Sequence, residues 1–195
     1  MEKKLTSRQL KAMQTRSHII KTAYRLFGEN SYDKVTIQDI CREANVSIGG
    51  FYHYFKSKFD IIDDSYRVFD DEVKTSFETN QPDNCIKSII FLISIQCDHI
   101  ESLGVLSFSQ LLKQQLGIDN PYILNSERFF TIKLCEIVKE AVDKNILFGD
   151  SDNISNEILS TTRGLIYDWC LHNGSYNLKE RSLHLTNMIV NFYRK

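Results

Sequence analysis

The segment from Thr36 to Phe55, TIQDICREANVSIGGFYHYF, collects hydroxyls at Ser47, Tyr52 and Tyr54 and an imidazole at His53 around two adjacent glycines, Gly49 and Gly50. Glycines are poor helix formers, each costing about 1 kcal/mol against Ala. Either the chain turns loosely here, or the missing side chains let the backbone approach another surface closely. The polar-tipped aromatic run that follows favours the close approach, as in a helix that meets base edges and phosphates.

Two short helices must position these groups. Ile37, Ile40, Cys41 and Ala44 recur at helical spacing, so one face is buried while Gln38, Asp39, Arg42 and Glu43 meet water. Thr36 stands where an N-cap belongs, with Asp39 three residues on as a shortened capping box. Asn45 tolerates the left-handed conformation that a tight reversal needs. Ser47 then serves as a second N-cap, and Val46, Phe51 and Phe55 give the second helix its inward stripe. Two amphipathic helices joined by a tight turn outline a helix-turn-helix, whose second helix lies in the DNA major groove.

The run Thr-Ile-x-x-Ile-Cys-x-x-Ala-x-Val-Ser-x-Gly-x-Phe-Tyr-x-Tyr-Phe-x-Ser-Lys, Thr36 to Lys58, resembles the signature of the tetracycline-repressor (TetR/AcrR) family of bacterial transcription regulators. Ile19, Ile20, Ala23, Leu26 and Phe27 fit the buried stripe of that family's first helix, ending near Gly28, and the likeness covers roughly residues 13 to 73. The resemblance implies an all-α homodimer with a three-helix DNA-binding domain, here 13–73 with its motif at 36–55, and a C-terminal effector-binding and dimerisation bundle at 74–195, about nine helices in all. It implies that Thr36, Tyr52, Tyr54 and Lys58 hold the DNA backbone, and that Ser47, Ile48, Gly49, Gly50 and His53 face the bases; Gln38, on the exposed side of the first short helix, joins the DNA-binding set. Asn45 and Ser31 replace the family's usual glycines with residues that turns also accept. Ile48 stands where relatives are often basic or polar; it can touch a thymine methyl or simply pack on its own domain.

Charge distribution agrees. Residues 1 to 62 hold 11 Lys and Arg against 6 Asp and Glu, and the remainder 13 against 19, although the whole chain sums to −1. A basic end beside an acidic remainder is expected when only one end meets phosphate. Lys3, Lys4, Arg8, Lys11 and Arg16 extend the basic tract, as a flexible arm or as a solvated helix face. No secretory signal and no membrane-length apolar run is visible, and five scattered cysteines suit a reducing compartment, so a cytoplasmic location is expected.

Further on, Ser57 and Asp60 cap a fourth helix with Ile61, Ile62, Tyr66, Phe69, Val73 and Phe77 inward, ending before Pro82. Helices are expected near Asn84 to Glu101, Leu103 to Gly117, Pro121 to Phe148, Ile154 to Asn173 and Leu178 to Lys195, with Asn120-Pro121 as an N-cap and N1 pair and Gly174 as a stop. The β-branched run Ile89 to Ile93 lacks a strand partner and reads as a buried helix.

Phe91, Phe108, Tyr122, Phe129, Phe130, Tyr167 and Trp169, with Cys97, Gln110 and Gln114, are candidates to line a site for an apolar or aromatic effector, although aromatics at helical spacing are also ordinary core. Cys97-x-His99 and Cys170-x-His172 raise a metal- or thiol-sensing alternative. Residues two apart point about 200° apart on a helix, so neither pair chelates alone, and no metal or other cofactor is assigned. The last helices carry Ile158, Leu159, Leu165, Ile166 and Trp169, and Leu183, Leu185, Met188, Ile189 and Phe192; in relatives this pair packs on its copy as a four-helix dimer interface. Asp98, His99 and Glu101 read as a solvated face, and no phosphate loop, H-E-x-x-H run or nucleophile elbow marks an enzyme. The expected function is a repressor binding a palindromic DNA operator as a homodimer and released by a small molecule, an activator being the alternative.

Overall fold

The computed structural model describes residues 6–80, 82–117 and 119–195, which are helical almost throughout. Lys3 and Lys4 lie outside the described residues. The chain divides within its fourth helix into a first unit ending at Val68 and a second running from Phe69 to Lys195.

Thr6 opens the first unit: its hydroxyl accepts from Gln9 N, and Gln9 accepts in return from Thr6 N. The helix that follows, α1 (Ser7–Asn30), therefore carries Arg8, Lys11 and Arg16 as helix residues, and the flexible-arm reading of that tract is corrected for those three. Its buried stripe is the expected one, Ile19, Ile20, Ala23, Leu26 and Phe27, with Tyr24 donating to Ser65 Oγ at 2.8 Å. Short helices α2 (Ile37–Glu43) and α3 (Ile48–Tyr54) follow. α4 (Lys58–Thr79) starts on the Ser57–Asp60 cap, with Asp60 N donating to Ser57 Oγ. Ile61, Ile62, Tyr66, Phe69 and Val73 are buried, Phe77 only partly. Arg16 of α1 pairs with the buried Asp64 of α4.

In the second unit α5 (Cys85–Leu103) starts on Asn84, whose Oδ1 accepts from Lys87 N, and packs on two later helices, α7 (Phe129–Asp143) and α9 (Leu178–Phe192). The Ile89 to Ile93 run is helical, with Ile89, Leu92 and Ile93 fully buried. Gly104, at φ 79°, breaks the chain before α6 (Val105–Leu116), bending the pair by 107°. Among the described residues no single helix is long and apolar enough to cross a membrane. α8 (Ser151–Leu171) starts on Asp150, and Gly174, at φ 70°, ends it with its N–H on Trp169 O. α9 starts on Asn177, assisted by Glu101, whose Oε1 accepts from Leu178 N at 3.0 Å.

The single helix expected over Pro121 to Phe148 is corrected. Pro121 leads only a 3-10 turn, Tyr122–Leu124, and α7 begins eight residues later. Asn125 Oδ1 accepts from Glu127 N, a local bond that competes with helix continuation. Arg128 precedes α7 without a side-chain cap; the carboxylate of Asp70 on α4 accepts Phe130 N instead, at 3.3 Å. The same carboxylate takes Arg128 Nε at 3.2 Å and Nη2 at 3.1 Å, and the guanidinium lies 5.7 Å from the Phe69 ring centroid and 5.6 Å from that of Tyr122. Asn145, left-handed at φ 57°, closes the far end.

Removing one partner of a buried, hydrogen-bonded ion pair strands the other charge. Arg128→Ala is expected to lower the unfolding free energy in urea by about 3–5 kcal/mol; a loss below about 1 kcal/mol would show that the pair does not hold this unit together.

Candidate nucleic-acid interface

Thr36 forms the full capping box of α2, its Oγ1 accepting from Asp39 N at 3.1 Å while Asp39 Oδ2 accepts from Thr36 N at 3.0 Å. The Thr36 bonds, assisted by Arg42, hold the Asp39 carboxyl down at about 2. That local contribution is fully present above pH ~4 and is lost as pH falls through about 2. Asn45 adopts φ 52° in the turn, and Val46 N closes back onto Cys41 O at 3.0 Å. Ser47 caps α3, accepting from Gly50 N at 3.0 Å. Each bond spans five residues or fewer, so the turn is fixed almost wholly by local sequence.

Phe51 and Phe55, one turn apart, are buried and in ring contact at 5.5 Å. The opposite side of α3 is therefore presented outward: Ile48 is 49% exposed and Tyr52 53%. Ser47, Gly49 and His53 are exposed, Gly50 and Tyr54 half so, and Thr36 and Gln38 are exposed on the preceding helix. Ile48 is thus half covered by its own domain and half presented outward. A Cβ on Gly49 would meet nothing within 4 Å, whereas one on Gly50 would lie 3.1 Å from Ser47 Oγ. Hydroxyl, imidazole and apolar groups thus share one outward face, the chemistry that reads phosphates and base edges.

Lys58 departs from its expected place. Its ammonium donates to Tyr32 O at 2.8 Å and Val35 O at 2.7 Å, beneath the Tyr32 ring at 4.4 Å. It ties down the loop between α1 and α2, and burial lowers its pKa. The Lys58 ammonium, expected at a DNA phosphate, here bonds two loop carbonyls. Lys56, which sequence reasoning passed over, is the exposed cation just beyond α3. The signal was present: Ser57 is the cap, so Lys56 precedes α4 while Lys58 begins it.

Several of the ten effector candidates are engaged in packing. Phe91 contacts Phe77 at 5.3 Å, Phe130 contacts Phe69 at 5.6 Å, and Phe108 is buried core. Trp169 is buried, its Nε1 donating to Tyr176 O, while Tyr167 is 49% exposed and Gln110 half-buried. Burial pushes the Cys97 thiol up to about 11. Only Phe129 lines the cleft of ≈ 500 Å³ in the second unit, with Lys74, Phe77, Pro82, Lys133 and Ile137. Among the described residues no group of three or more His, Cys, Asp and Glu side chains is placed to hold a metal. Asp98 pairs with Lys179, His99 with Glu72, and Glu101 caps α9.

The proposed dimer faces also need correction. Ile158, Leu159, Leu165, Ile166 and Trp169 of α8 are all buried within their own chain. The exposed apolar side of the two last helices is instead Tyr167 and Leu171 on α8 with Met188 and Phe192 on α9, Phe192 being 71% exposed. Leu183, Leu185 and Ile189 are half-buried beside them.

A capped helix-turn-helix that presents its second helix outward has the architecture of a DNA-binding domain. Residues 19–64 match the family model of bacterial regulatory proteins, tetR family. It is similar to the uncharacterized HTH-type transcriptional regulator YuxN of Bacillus subtilis, 45% identical over 40 residues, which is 20% of this chain and only 14% of that protein. The HTH-type transcriptional regulator UidR of Escherichia coli is 24% identical over 170 residues, covering 82% of this chain and 84% of UidR. A TetR transcription regulator from Haloarcula marismortui shares the fold with a TM-score of 0.72 at 14% identity, over 94% of this chain and 100% of that one.

Gly49→Ala separates fold from interface. The added methyl meets nothing and improves helix propensity, so thermal stability should hold or rise by up to about 1 kcal/mol. Sequence-specific DNA binding, measured by fluorescence anisotropy, should weaken by about 1–3 kcal/mol if that backbone approaches base edges; unchanged affinity removes Gly49 from the interface.

Proposed function

We propose that the protein is a repressor that binds a palindromic operator as a homodimer and releases it when a small effector with an apolar or aromatic body binds the second unit. The observation that carries the DNA reading is the outward face of Ser47, Ile48, Gly49, Tyr52 and His53 on a helix whose other face is locked by Phe51 and Phe55. On this reading Tyr52, Tyr54, Thr36 and Lys56 position the protein on phosphates, Gln38 adds a polar contact, and Ile48 meets a thymine methyl.

Dimerisation is supported by the exposed Met188 and Phe192, one helical turn apart on α9, and by the exposed Tyr167 and Leu171, one turn apart on α8. Large apolar side chains grouped on adjoining helices mark an interaction surface. Two-fold symmetry then requires a palindromic site, with recognition helices about 34–36 Å apart or at a related spacing. An effector that prefers the non-binding conformer weakens operator affinity by the ratio of its affinities for the two states.

Gel shifts with the DNA flanking the protein's own gene test the reading. A specific complex whose affinity falls steeply with salt is expected, and failure to prefer any flanking sequence over random duplex overturns it. Phe192→Glu should sediment as a monomer and weaken operator binding at least about tenfold, or 1.4 kcal/mol; a variant that stays dimeric moves the interface elsewhere.

A further inference from the structure

The cleft of the second unit lies between α4 and α7, with α5 behind it. At one end Asp70 accepts Phe130 N, so residue 70 of α4 stands level with residue 130 of α7. Further along, Lys133 Nζ lies 5.8 Å from the Phe77 ring centroid, so the two helices run in the same direction. α5 runs against both and gives the same register independently: Phe69 meets His99 at 4.8 Å, Phe77 meets Phe91 at 5.3 Å, and Cys85 reaches Glu140. Beyond the Asp70 clamp the space between α4 and α7 opens to ≈ 500 Å³, a volume that suits a small molecule.

The lining of this cleft is sorted by charge along its length. α4 contributes Lys74, Phe77 and Glu78 from one face, and α7 contributes Lys133, Ile137 and Glu140 from another. With residue 70 level with 130, Lys133 stands beside Lys74, and Glu140 lies near the level of Glu78. Side chains of parallel helices lean the same way, so at 1.5 Å per residue the lysine end and the glutamate end are about 6–8 Å apart. Between them lie the half-buried Phe77, backed by Phe91, and the buried Ile137. Lys133 is held loosely by Glu136, at 3.3 Å, and Glu140 is shared with Lys144. Among the described residues neither Lys74 nor Glu78 has an ion-pair partner, although they stand four residues apart on one helix face. A free ammonium at one end and a free carboxylate at the other thus flank an apolar floor.

We propose that this cleft receives the effector, and that the effector is a zwitterion on an apolar or aromatic body: its anionic group at Lys74 and Lys133, its cationic group at Glu78, and its body over Phe77 and Ile137. This rests on the effector-released repressor reading above and specifies the place and chemical class of its ligand. Coulomb energy falls only as the inverse of distance, so a monoanion at the lysines still meets the carboxylates at roughly twice the contact distance, which cancels about half of the attraction. A monocation at the glutamate end meets the converse. A zwitterion turns each of those repulsions into an attraction, and a neutral ligand uses neither end.

The test uses the full-length protein, wild type, Lys74→Gln and Glu78→Gln, titrated calorimetrically at low ionic strength with para-aminomethylbenzoate, whose ammonium and carboxylate stand at opposite ends of a benzene ring. Its analogues para-methylbenzoate and para-methylbenzylamine keep one charge each. Wild type should bind the zwitterion at least about tenfold more tightly than either analogue. Lys74→Gln should bind it no more tightly than it binds the amine, and Glu78→Gln no more tightly than the benzoate. Both side chains are exposed, so both variants should melt as wild type does. The proposal is overturned if the zwitterion does not bind, if either analogue binds wild type as tightly, or if either variant keeps the wild-type preference. Gel shifts keep the two readings apart. If no specific operator complex forms, the repressor assignment fails; if one forms and the titrations fail, only the ligand class and its place fail.

Discussion

One carboxylate organises the second unit. Asp70 accepts Arg128 through two nitrogens and Phe130 through the backbone, replacing the N-cap that α7 lacks in its own sequence. Buried charge persists only where it is paired and hydrogen-bonded, so these bonds leave α7 little choice of starting point or rotation. From that start Phe130, Leu134, Ile137, Val138 and Ala141 fall on one face, the one α7 packs against α5 and α8. The rings of Phe69 and Tyr122 beside the guanidinium exclude water from the pair and make it stiffer than an exposed bridge, which contributes little.

The first unit relies on local devices. Thr36 with Asp39, Ser47 with Gly50, and the left-handed Asn45 each act across a few residues, and each is legible from residue type and spacing. That is why the helix-turn-helix and the outward face of α3 could be read from residue types alone. Lys58 shows the limit of such reading. Its partners lie 23 and 26 residues away, and the spacing that suits an ammonium for phosphate suits it equally for two loop carbonyls.

In the second unit the existence of helices was legible and their partners were not. Periodicity marks an apolar stripe but not what covers it, so the α8 residues read as a dimer face turned out to be its inner side, and the outer face is carried by Tyr167 and Leu171. The break before α7 was hidden for the same reason: the group that caps the helix is 60 residues away. Most of the aromatic candidates fill core, where shape rather than identity decides contact.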